Sequence, residues 1–142
     1  MKNLILLLAI TLGLTASAQN KYEWVASGGA AGILAVNDSK VCLSVTMTSM
    51  GMALALGGDN IQDGDRLIIL FDSDTTLGFE TTCPRSNSDV TIVEWDLKSR
   101  GWFKYLKTGE TVTIASVDSL DNIIEAYVFK LAGSSAALNQ VY

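Results

Sequence analysis

The chain has 142 residues, a formal net charge of −5 and no histidine. The missing imidazole excludes Ser-His-Asp and Cys-His catalysis, imidazole zinc sites and histidine pH switches. Net acidity argues against a nucleic-acid partner, which requires a clustered positive field.

Residues 1–18 read as a secretory signal peptide: Lys2 supplies the charged start, Leu4 to Leu14 the short apolar run, and Ala16-Ser17-Ala18 the small-residue cleavage site. Cleavage near Ala18 predicts export of residues 19–142, periplasmic or secreted, as a single β-rich domain, since no linker, repeat or composition break interrupts them. No later apolar run reaches the ~18 residues needed for a transmembrane segment, and no cysteine stands at the cleavage site to carry a lipid anchor. In an oxidising compartment the only two cysteines, Cys42 and Cys83, predict a disulfide, worth about 4 kcal/mol in the chain-entropy picture.

Period-two alternation dominates the rest of the chain. Residues 22–25 form a short first strand, and the Gly/Ala-rich stretch 28–35 has no clear assignment. Val41, Leu43, Val45 and Met47 alternate with small or polar residues, as do Met50, Met52, Leu54 and Leu56. A tight turn at Thr48-Ser49 joins these strands, and the second has one bulky and one nearly bare face, which requires close approach on the bare side. Asp63-Gly64-Asp65 is a turn opening the run Leu67 to Phe71, whose five consecutive apolar residues predict a central strand covered on both faces. Extended segments follow at 77–83 and 90–95. A helix over 97–107 is predicted, capped by Asp96 and stopped by Gly109, with Trp102, Phe103 and Leu106 facing the core. Strands at 111–116 and 123–130 and a short helix over 134–140 complete the chain. The fold class is mainly β: an antiparallel β-sandwich or partly open barrel with one or two short helices.

Three groups of side chains bear on chemistry. Asp72-Ser73-Asp74-Thr75-Thr76 follows an apolar strand and resembles the D-x-D-x-T motif of the haloacid dehalogenase phosphatases. That resemblance implies Asp72 as nucleophile and Asp74 as acid, with magnesium holding the phosphate. Against it, too few residues follow Asp74 for the strand–helix crossovers of a parallel sheet, and the alternative is a strand ending in a polar turn. Asp59, Asp63, Asp65, Asp72 and Asp74 invite a calcium reading, but Ile61 breaks the EF-hand spacing and turn carboxylates are the simpler assignment. Met47, Met50 and Met52 offer three thioethers to Cu(I), or flexible core filling.

The third group is basic. Arg100, Lys104 and Lys107 fall at i, i+4 and i+7 beside the aromatic arc of the predicted helix, with Tyr105 at its rim. This gives an acidic protein one positive face, suited to a protein partner or an anionic surface. No cofactor is expected.

The C-terminal half then runs through Asp96, an aromatic helix, Lys107-Thr108-Gly109, a strand, and Phe129-Lys130-Leu131-Ala132-Gly133-Ser134-Ser135-Ala136-Ala137-Leu138. This order resembles the invasion-associated locus B family of exported bacterial proteins over roughly residues 90–140. Trp24 and Cys42-Leu43 are fainter echoes, and members often carry further cysteines. The resemblance implies a non-enzymatic periplasmic or surface binding protein associated with host cells, and it carries over no catalytic residues.

Overall fold

A computed structural model describes residues 23–72, 74–86, 90–98 and 101–141, with the side chains at 74–77 and 85 outside the description. The expected signal peptide, Ser73 and Arg100 therefore lie outside the described residues. The described strands are β1 (Val25–Ser27), β2 (Ala30–Leu34), β3 (Cys42–Thr48), β4 (Gly51–Gly57), β5 (Arg66–Phe71), β6 (Asp74–Thr82), β7 (Arg85–Ser86), β8 (Thr91–Glu94), β9 (Thr111–Val117) and β10 (Ile123–Lys130). Two short helices, α1 (Trp102–Thr108) and α2 (Ser134–Leu138), complete the order.

Alternation along the strands builds two antiparallel sheets, ordered β1-β2-β3-β4-β8-β7 and β10-β9-β5-β6. The first turns Ile33, Leu43, Val45, Leu54, Leu56 and Val93 inward. The second answers with Leu67, Ile69, Phe71, Val112, Ile114, Tyr127 and Phe129, and one apolar core forms between them. No closed barrel results; the fold is mainly β and sandwich-like. The bare face foreseen on β4 lies opposite this core. There Ala53 and Ala55 register with Thr46 and Ser44 of β3, and all four are buried.

The sheets are also tied along one margin. After β2 the chain turns onto the outer edge of β10: the Val36 N–H donates to the Val128 carbonyl at 2.8 Å. Asn37 imitates a backbone residue there, its Nδ2 donating to the Ala126 carbonyl and its Oδ1 accepting the Val128 N–H. The indole N–H of Trp24 donates to the Lys130 carbonyl at 2.9 Å. Covering an edge in this way removes a template for intermolecular strand pairing.

Four expectations need correction. The β3–β4 turn sits at Ser49-Met50, one residue later than predicted. Thr48 closes it by donating from Oγ1 to the Gly51 carbonyl and accepting the Met50 N–H, so Met47 registers with Met52. Strand β5 is covered on one face only: Leu67, Ile69 and Phe71 are buried while Ile68 and Leu70 are partly exposed. The helix starts at Trp102, not at 97, and Asp96 does not cap it; Gly101, in the left-handed conformation, precedes it. The cause is Leu97, whose side chain is fully buried and whose N–H donates to the Met52 carbonyl at 2.8 Å. That bond holds the segment against β4 and delays the helix.

Finally, Cys42 and Cys83 are not bonded to each other. Alternation along β3 sends Cys42 to the side opposite Leu43, into a small cluster with Ala30 and Leu34. Cys83 belongs to the main core, and its thiol donates toward the Ile92 carbonyl at 3.5 Å. The two thiols are thus divided between clusters.

Tyr127 offers a direct check on this packing. Its hydroxyl accepts the Asn60 N–H and donates to Glu125, and burial, outweighing the Asn60 amide, pushes the phenol up to about 12. Unfolded tyrosines ionise near pH 10, so between roughly pH 10 and 12 the unfolded chain loses a proton that the fold retains, and stability falls as pH rises. Urea melts over that range should show a shallower decline for Tyr127→Phe than for the wild type.

Candidate functional site

Helix α1 is amphipathic in the way its sequence requires: Trp102, Phe103 and Leu106 are buried. Trp102 packs against Phe79 with ring centroids 4.9 Å apart. Tyr105 lies over Phe71 at 5.4 Å and is partly buried against the core. The ring thus packs on the core while its neighbour Lys104 lies over it.

Beside this buried arc, the flank of the helix borders a groove of about 440 Å³ lined by Lys98, Gly101, Phe103, Lys104, Lys107 and Thr108. The Phe103 ring is its apolar wall. The Lys98 and Lys107 ammonium groups lie 5.8 and 5.4 Å from the ring centroid, within cation–π reach. Lys104 sits 5.8 Å from the Tyr105 centroid. Lys107 is also positioned from the side, donating to Asn139 Oδ1 at 2.8 Å. The structure brings together Lys104 and Lys107 of the predicted stripe. Arg100 lies outside the described residues.

Lys98 and Phe103 were missed as site residues. Phe103 carries both a core signature and the i, i+4 relation to Lys107, and the second signal identifies it. Lys98 falls in the pre-helical segment, where helical spacing has no meaning.

The second helix holds the first. Gly133, in the left-handed conformation, opens α2, and the buried Ser134 hydroxyl donates to the Leu106 carbonyl at 2.6 Å. Ala137 and Leu138 join the core. The Phe129-to-Leu138 motif is thus the frame that fixes α1 and its groove.

In the other candidate constellations, the described carboxylates make local hydrogen bonds. Both neighbours of β5, β6 and β9, run antiparallel to it, unlike the parallel crossover sheet of the phosphatases. Asp72 Oδ1 accepts the N–H groups of Glu110 and Thr111 at 2.6 and 2.9 Å, and the Asp72 N–H donates to the Thr111 carbonyl. The Asp74 side chain lies outside the described residues. In the preceding turns, Asp59 accepts the Ile61 N–H and the Thr91 hydroxyl, Asp65 accepts the Gln62 N–H, and Asp63 accepts the Ser86 N–H. Among the described residues no group of three or more Cys, Asp or Glu side chains could hold a metal ion. Of the methionines, Met52 is buried in the core and registers with Met47 across the β3–β4 ladder, while Met47 and Met50 are exposed beside the turn.

Asp72 therefore generates a structural prediction. Its φ of 58° suits Asp or Asn better than Ala. Asp72→Ala should lower stability by about 1–2 kcal/mol through lost amide bonds and backbone strain, while Asp72→Asn stays close to wild type in chemical denaturation.

No family model matches the chain, and no curated protein does. Among solved structures, the crystal structure of invasion associated protein B from Bartonella henselae is similar, with a TM-score of 0.54 and 18% sequence identity over 79% of this chain and 82% of that one. At that identity the likeness is one of fold: the chain shares the architecture of that protein.

Proposed function

We infer that the chain is an exported, non-catalytic binding domain of the bacterial periplasm or surface, acting through the groove on α1. The observation that carries this reading is that Lys98, Lys104 and Lys107 line one groove, with Lys98 and Lys107 over the Phe103 ring, in a chain of net charge −5. A local positive field on an acidic protein steers and orients an acidic partner, and the ring adds an apolar contact that a bare lysine patch lacks. The partner class is an acidic protein segment or an anionic lipid surface. A role in host-cell association is supported by the shared fold with the Bartonella protein, whose name records invasion, and by the C-terminal motif. The signal-like residues 1–18 support export.

The test is titration with a fluorescent poly-glutamate peptide and, separately, with phosphatidylglycerol vesicles. Lys104→Glu/Lys107→Glu should weaken binding to one or both by on the order of tenfold or more at low salt. Its melting temperature should stay within about 3 °C of wild type. Unchanged binding in the folded double variant would remove the groove as the contact surface.

A further inference from the structure

The hairpin joining β9 to β10 is the acidic counterpart of the groove. Its turn is tightly built: Asp118 Oδ1 accepts the N–H groups of Leu120 and Asn122, both at 2.9 Å. The Asn122 and Leu120 amides hold the Asp118 carboxyl below its usual range. Asp121, at φ 63°, pairs with Arg66, which also bridges to Glu80 at 2.6 Å. None of these bonds needs an apolar side chain.

Yet Leu120, Ile123 and Ile124 are 79%, 66% and 59% exposed, and Ile124 stands at the irregularity between Ile123 and Glu125 where the β9–β10 register shifts. Contiguous exposed aliphatic surface marks an interaction site, and these three residues fall within five positions of one hairpin. Asp118 and Asp121 lie in the same turn and Glu125 follows on β10, with Arg66 joining Asp121 to Glu80. An acidic setting disfavours an anionic membrane and selects a basic partner with an apolar wall.

The groove on α1 has that chemistry. It opens beside the start of β9, whereas the hairpin lies beyond its end, and the seven residues between span roughly 23 Å. A tip and a groove at opposite ends of one strand do not meet within a molecule, but they meet between copies. We propose that this protein associates head to tail, the Leu120–Ile124 tip of one copy seated in the Lys98–Phe103–Lys107 groove of the next. The aliphatic side chains pack on Phe103 while Asp118, Asp121 and Glu125 face the lysines. This rests on the groove being a binding site for acidic, partly apolar segments and names a second copy of the chain as its occupant. A contact between two different patches propagates into chains or rings unless two copies satisfy both contacts at once about a two-fold axis.

Sedimentation velocity of the purified protein tests this. Wild type should show a weight-average mass that rises with concentration and falls with added salt. Leu120→Ser/Ile124→Ser, altering only exposed side chains, should be monomeric, as should Lys104→Glu/Lys107→Glu. Mixing the two should restore association and stop at dimers, because the first variant keeps an intact groove and the second an intact tip. A wild type that stays monomeric throughout, a tip variant that still associates, or a mixture that gives no dimer each overturns the proposal. Poly-glutamate binding separates the two readings: if wild type binds the peptide and the lysine variant does not, the groove stands even when self-association fails.

Discussion

The architecture turns on a close approach at Gly109. Its position leaves no room for a Cβ, which would lie 2.9 Å from the Tyr105 carbonyl oxygen, 3.1 Å from a Leu131 methyl and 3.2 Å from Asp72 Oδ1. Three pieces of chain meet there: the end of α1, the end of β5, and the stretch between β10 and α2. The Gly109 N–H closes the helix on Tyr105, and the next two amides are taken by Asp72. The Leu131 N–H is donated to the Glu110 carbonyl. The same junction sets where α1, with Lys104 and Lys107, stands above the core, so the groove inherits its geometry from a contact outside it.

Much of this was legible from the sequence. Strict alternation in 41–57 and 111–130 identified the strands, because a half-buried antiparallel sheet needs one apolar face, and the Trp102-Phe103-Leu106 arc identified the buried side of α1. What stayed hidden depended on tertiary contacts. The Leu97 N–H bond to β4 shortens the helix. The Thr48 hydroxyl moves the turn by one residue. The apolar run in β5 resembles a strand covered on both faces, although only one of its faces meets the core. Cysteine count and compartment are silent on which side of β3 a thiol faces, and so the expected Cys42–Cys83 pair did not survive the alternation of that strand. The groove was half legible: Lys104 and Lys107 show as a helical stripe, while Lys98 reaches it from outside the helix.

Electrostatically the molecule is divided. Most carboxylates in the 59–72 turns are engaged with local amides or hydroxyls, so they shape loops and contribute a diffuse negative field. In the groove, Lys98 and Lys107 lie over the Phe103 ring and Lys104 over Tyr105. Charge used for turn geometry is tied to the backbone, whereas the charge of the groove stands beside an apolar wall.

The pairing of β5 with β9 has a kinetic consequence. In the first sheet, β1 to β4 are joined by successive hairpins, contacts between residues near in sequence that close quickly. In the second, Arg66 pairs with Val117 and Phe71 with Val112, so the inner ladder forms only after β6, β7, β8 and α1 have been looped out and returned. Loop-closure entropy places that step late. The β1–β4 meander is then the natural nucleus, and the docking of β9 beside β5 the event that completes both the core and the groove.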